Sequence, residues 1–199
     1  MNIDMLSVSG HKLHAMKGTG LLYVSEKVPF YPFLLGGHQQ GGRRAGTENI
    51  AGIVGLAEAM RFAAENLESR SEKLSPLRER LIAAISAMKG TTFNGDMEKS
   101  LPSIVNFSFE GVEGETLVLQ LDLLGIAVSS GSACASGSTE PSHVIAALGG
   151  SADAARGSIR ISMSDETSES DVEAVIAALG KVSCLRSVQA APARTYDRR

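Results

Sequence analysis

The stretch SVSGHKLHAMKGTGLLYV, Ser7 to Val24, decides how the rest of the chain is read. It opens inside MLSVS, a short apolar run with the pattern of a buried strand, and it closes in GTGLLYVS, Gly18 to Ser25, which reads as a second strand. Between them lies the turn Ser9-Gly10-His11-Lys12. A lysine at the end of a buried strand sits where desolvation favours the neutral amine, the form able to condense with an aldehyde. The hydroxyl of Ser9, the backbone of Gly10 and the ring of His11 supply hydrogen-bond donors for a phosphate at the same turn. On local pattern alone an ordinary solvated turn lysine is the commoner reading. Two strands by themselves are marginal in water, so the pair reads as the edge of a larger sheet.

Working outward, VPFYPFLLGGHQQGGRRAGT has two prolines and no apolar period, and is expected to be a long loop. Its glycines permit backbone N–H groups to converge on an anion, Arg43 and Arg44 add positive charge, and Thr47 precedes a predicted helix start. A flexible connector with two surface arginines is the alternative. From Glu48 the residues Ile53, Leu56, Met60, Ala63 and Leu67 recur at helical spacing. A second helical face, Leu77, Leu81, Ile82, Ile85 and Met88, is expected to start at Pro76 with Ser75 as its cap.

Beyond Gly90 the segments alternate in type. SIVNFSF and GSIRISM alternate as strands should, and IAVSS is a short third strand. EGETLVLQLDLLG, EPSHVIAALG and SESDVEAVIAALGKVSCL read as helices, the last with Ser170 and Glu173 spaced as a capping box. This order predicts a compact α/β domain. In GSIRISM, Arg160 alternates with Ile159 and Ile161 and so projects from the opposite face, as a clamp for a carboxylate or as an ordinary strand-surface arginine.

Composition narrows the function. The 199 residues are 43% hydrophobic and carry a net charge of −3, which argues against nucleic-acid partners and anionic membranes. Neither a membrane-span-length apolar run nor a secretory leader is read, and a reducing cytoplasm is the expected compartment. The two cysteines are too few for a disulfide framework. Cys134, within SSGSACASGS, lacks the bulky neighbours that bury a structural cysteine and is a candidate nucleophile. Cys184 sits on an apolar helix face and is expected in the core. The histidines show no paired ligand spacing, so no metal is expected.

Three stretches, SVSGHKLHAMKGTGLLYV, GGHQQGGRRAGTENIAGIVGL and SSGSACASGSTEPSHVIAALG, together resemble the C-terminal half of NifS/IscS-type cysteine desulfurases. These are pyridoxal 5'-phosphate enzymes of the aminotransferase class V group. The resemblance implies an aspartate aminotransferase-like fold. Residues 1–47 would be the remnant of the large cofactor domain, 48–70 a linking helix, 71–186 a small α/β domain and 187–199 a tail. It implies that Lys12 forms the Schiff base with the cofactor, that Ser9, Gly10 and His11 hold its phosphate, and that Thr47 reaches the phosphate across a homodimer. Arg160 would grip the carboxylate of L-cysteine, and Cys134 would take its sulfur as a persulfide for an iron–sulfur scaffold or another acceptor protein. Two positions depart from the usual pattern: AMKG stands where Gly-Pro-Lys-Gly is common, and Gln40 where an acidic residue is. The N-terminal half would hold the histidine that stacks on the cofactor ring and the aspartate paired with its nitrogen. A non-catalytic desulfurase domain for dimerisation or acceptor docking, and a selenocysteine lyase, are the alternatives.

Overall fold

The computed structural model describes residues 2–130 and 142–182. The chain forms two compact units that divide between Glu68 and Ser69.

In the first unit, β1 (Met5–Ser9) and β2 (Gly20–Val24) form an antiparallel hairpin in register from Met5 opposite Val24 to Ser9 opposite Gly20. A 3-10 turn, Gly10–Leu13, leaves β1 and ends at His14 in the left-handed region, φ 65°. The helix α1 (Ile50–Glu65) follows the long loop and packs its first turns on that 3-10 turn. Its cap is Asn49, whose side chain accepts the N–H of Gly52 at 3.0 Å. The expected burial of MLSVS is not found: Met5, Leu6, Leu22 and Tyr23 are each about half exposed. A two-stranded ribbon has two faces to cover, and within this unit only α1 is available to cover either. Leu56 is the one α1 side chain beyond Gly52 that is buried.

The expected linking helix over 48–70 ends earlier. Asn66 closes α1 with both its backbone N–H and its side-chain amide donating to the Phe62 carbonyl. The next helix, α2 (Leu67–Ser86), then runs through Pro76 without starting there. Ser75 is therefore not a cap; its hydroxyl donates to the Ser71 carbonyl one turn back, at 2.7 Å. An internal proline costs a helix about 3 kcal/mol. Burial of Leu74, Leu77, Leu81, Ile82 and Ile85 along one stripe offsets it, at about 1.5–3 kcal/mol for each side chain.

The second unit continues with β3 (Thr91–Phe93), β4 (Ile104–Phe109), α3 (Gly114–Asp122), β5 (Ser129–Ser130), α4 (His143–Ala147), α5 (Ala152–Arg156), β6 (Ser158–Ser162) and α6 (Glu169–Lys181). The four strands form one sheet in the order β3-β4-β6-β5, every pairing antiparallel. Neither β3 nor α5 had a readable signal, being three and five residues long. On one sheet face Val105, Phe107, Phe109, Ile159 and Ile161 pack with the apolar stripes of α2, α3 and α6 in a single core. The Phe93 and Phe107 rings meet at 5.4 Å.

The capping box of α6 is Ser168 with Asp171, not Ser170 with Glu173. Ser168 holds the extended backbone that a cap requires, whereas Ser170 already lies inside the helix. Glu173 instead pairs with Arg80 of α2, at 2.7 Å.

Two outcomes follow. Phe107→Ala is expected to cost about 3–5 kcal/mol in urea denaturation, since the ring is fully buried. Hydrogen bonds from the Ser168 hydroxyl and backbone hold the Asp171 carboxyl below its ordinary value. The stability this adds is complete above the ~3.9 of an unfolded aspartate and is lost as pH falls through the lowered folded value. Ser168→Ala should therefore lower the Tm at neutral pH and flatten its fall between about pH 5 and 2.

Candidate functional site

The lysine turn is built by close backbone approach. The Gly10 N–H donates to the Thr19 carbonyl at 2.9 Å, and the Gly10 carbonyl accepts the N–H of Ala15 at 3.0 Å. A Cβ at position 10 would lie 2.7 Å from Thr19 Oγ1 and 2.9 Å from its carbonyl oxygen, so only glycine fits. Thr19 also closes on α1, where a Cβ at Gly52 would fall 2.4 Å from its Cγ2. The Thr19 hydroxyl itself donates to the Met16 carbonyl at 2.6 Å. Thr19 thus wedges the 3-10 turn against the start of α1. The reading of the sequence passed over it, although its place between Gly18 and Gly20, opposite Gly10, was a usable signal.

On this turn Ser9, His11 and Lys12 are all exposed, and Ser9 Oγ lies 3.0 Å from His11 Nδ1. The burial expected for Lys12 is therefore absent, for the same reason that β1 is open. Hydroxyl, imidazole and primary amine stand within four consecutive residues of a rigidly anchored turn. Their chemistry fits a phosphate-bearing aldehyde: hydrogen-bond donors for the phosphate and an accessible amine for the carbonyl carbon.

The glycine loop is organised around itself. Gln40, Gly41 and Gly42 have φ of 53°, 64° and 78°. The N–H groups of Gly42, Arg43 and Ala45 are donated to carbonyls of the same loop, and that of Gly46 to Gln39 Oε1. These four N–H groups are thus committed within the loop and are not turned toward an anion. Thr47 is exposed, two residues before the cap of α1.

In the second unit, Arg160 lies on the sheet face opposite the core, as its alternation with the buried Ile159 and Ile161 requires. Register places it between Asn106 of β4 and Ser129 of β5. Its Nε is buried and has no hydrogen-bond partner among the described residues. A guanidinium N–H left unpaired out of water is costly unless a ligand completes it. The neighbouring polar network, Asn94, Asn106 and Ser108, was not singled out in the sequence. Only the strand pairing brings it beside Arg160. Cys134 and Cys184 lie outside the described residues.

An antiparallel hairpin with its lysine turn and a four-stranded α/β unit are parts of a pyridoxal-phosphate transferase fold. The chain belongs to the aminotransferase class-V family, which matches residues 1–175. It is 49% identical over 185 residues to a cysteine desulfurase IscS from Clostridium botulinum, covering 92% of this chain and 47% of that protein. It is 48% identical over 176 residues to the cysteine desulfurase NifS of Azotobacter vinelandii, covering 88% and 44%. Among solved structures, a NifS-like protein matches with a TM-score of 0.79 at 34% identity, over 94% of this chain and 47% of that one. A NifS-like protein from Rickettsia africae matches with a TM-score of 0.80 at 28% identity, over 90% and 47%. The chain thus spans about half the length of the curated relatives it matches.

If Gly10 is the point where the turn is locked, Gly10→Ala should speed amide hydrogen exchange at position 10 and at Ala15. Amides in the core strands β4 and β6 are expected to keep their wild-type protection.

Proposed function

We propose that this chain carries the cofactor lysine, substrate arginine and sulfur-accepting cysteine of a cysteine desulfurase. The similarity to desulfurases along nearly the whole chain is the observation that carries this reading. The unpaired Nε of Arg160 and the donor set around Lys12 support it from the structure. Residues 1–47 are read as part of the cofactor domain, 48–70 as the link, 71–186 as the small domain and 187–199 as a tail.

In this reading Lys12 anchors pyridoxal 5'-phosphate through its amine and, once released, moves protons at the substrate carbons. Ser9 and His11 hold the phosphate, beside a Gly10 whose N–H is already given to the Thr19 carbonyl and which shapes the turn instead, and Thr47 reaches the phosphate of a second subunit. When bound, pyridoxal phosphate supplies the electron sink that makes the substrate Cβ–Sγ bond labile. Arg160 receives the carboxylate of L-cysteine and sets which substrate bond faces the cofactor. The Cys134 thiolate attacks the substrate Sγ. An S–S bond forms, the Cβ–Sγ bond breaks with its electron pair going to carbon, and protonation there gives L-alanine. The sulfur leaves as a Cys134 persulfide for an iron–sulfur scaffold or another acceptor, in the cytoplasm.

Sulfide release from L-cysteine by the purified chain, with pyridoxal phosphate and a thiol reductant, tests this. Cys134→Ala is expected to reduce release to background while cofactor absorbance is kept, and Lys12→Ala to abolish that absorbance. Wild-type sulfide release by Cys134→Ala would remove Cys134 from the role. A wild-type chain that binds no cofactor and releases no sulfide would overturn the catalytic reading. It would favour a domain for dimerisation or acceptor docking. Faster turnover of selenocysteine than of cysteine would favour a selenocysteine lyase.

A further inference from the structure

The polar face of the second unit's sheet holds a chain of hydrogen bonds whose direction is fixed from one end. The Ala154 carbonyl of α5 can only accept, so the Ser108 hydroxyl 2.7 Å away must donate to it. That commits the only proton Ser108 has. Its oxygen, 2.7 Å from Asn94, must then accept, which turns the Asn94 Nδ2 toward it. The second N–H of the same Nδ2 reaches Asn106 Oδ1 at 2.8 Å. The backbone adds a further tie, the Asn94 N–H donating to the Asn106 carbonyl at 2.9 Å. Asn106 therefore has its side-chain oxygen spoken for, and its Nδ2 group must point away from Asn94.

Asn106 stands directly opposite Arg160 in the β4–β6 register, on the same sheet face. Paired side chains on one face of an antiparallel sheet have Cβ atoms about 4.5–5.5 Å apart. Two planar donor groups thus stand side by side: the Arg160 guanidinium, whose buried Nε has no partner among the described residues, and an Asn106 Nδ2 with no hydrogen bond there either. Side chains that start from neighbouring Cβ atoms on one face are able to converge on the two oxygens of one carboxylate. The Asn106 side-chain oxygen is turned toward Asn94 and away from that side.

We infer that Asn106 is a second carboxylate-binding residue, which completes with Arg160 a two-donor seat and is held in its donor orientation by the Ala154–Ser108–Asn94 relay. The inference rests on the proposed role of Arg160 and extends it. Arg160 supplies charge; Asn106 supplies direction, distinguishing a two-oxygen anion from a spherical one. Asn94 and Ser108 are positioning residues that act through Asn106.

Acetate is the simplest probe of the seat. In the 15N-labelled chain the Arg160 Nε–H and Asn106 Nδ2 resonances are followed as sodium acetate is added, with sodium chloride as the comparison. Both resonances are expected to move along one isotherm with acetate, and to move far less with chloride. Asn106→Leu should weaken the acetate isotherm read at Arg160 about tenfold, the size expected for one hydrogen bond to a charged group. Asn106→Asp keeps the shape and the acceptor for Asn94 but turns a donor toward an acceptor, and should abolish acetate binding. It supplies the same reading if the leucine variant does not fold. An unchanged isotherm at Arg160 in both variants would overturn the role of Asn106 and leave that of Arg160 standing. No acetate response at Arg160 in the wild-type chain would overturn both. Equal responses to acetate and chloride would overturn the carboxylate specificity.

Discussion

The antiparallel pairing of β4 with β6 is the constraint on which the second unit depends. Val105 faces Ile161 and Phe107 faces Ile159 on the core side, while Asn106 faces Arg160 on the other. Because side chains alternate along a strand, one register satisfies both requirements at once. A slip of a single residue would send Arg160 into the apolar core and the isoleucines toward the polar face. The hydrophobic interior therefore fixes the position of the polar pair. The charge of Arg160 stays off the core because its side of the sheet carries the polar side chains of Asn94, Asn106 and Ser108.

The first unit is organised by a different economy. Its turn is held by backbone contacts too close for any side chain at Gly10, and Thr19 locks it against α1. The hairpin that carries the turn leaves large apolar side chains half exposed on both strands. A rigid turn on an incompletely covered ribbon is understandable if local geometry and burial come from separate parts of the fold. The lysine turn needs only its hairpin and the start of α1 to be shaped. The same hairpin and helix leave Lys12 exposed.

Much of the candidate site was legible because it is written in short segments. Lys12, His11 and Ser9 occupy one turn, and the alternation around Arg160 gave its face correctly. The misreadings share a cause. Ser75-Pro76 looked like a helix start, and Ser170 with Glu173 like a capping box, because local signals were weighed without packing. In the structure a buried leucine stripe carries α2 through the proline, and the true cap is the last extended residue, Ser168. The short β3 and α5 were not legible at all, since three and five residues contain too little period to detect.

By itself the sequence determined the apolar patterns, the lysine turn and the alternating face of Arg160. These depend on a residue's near neighbours along the chain, where the periods of helix and strand are expressed. Only the tertiary structure decided that every strand of the sheet runs antiparallel and that Asn106 stands beside Arg160. It also decided which amide atom of Asn106 has no partner among the described residues, through a relay that starts at a carbonyl 48 positions along the chain, on Ala154. Hydrogen-bond direction passes from partner to partner through space, and strand register is set by the burial of the whole core. Neither is encoded in any single stretch of residues.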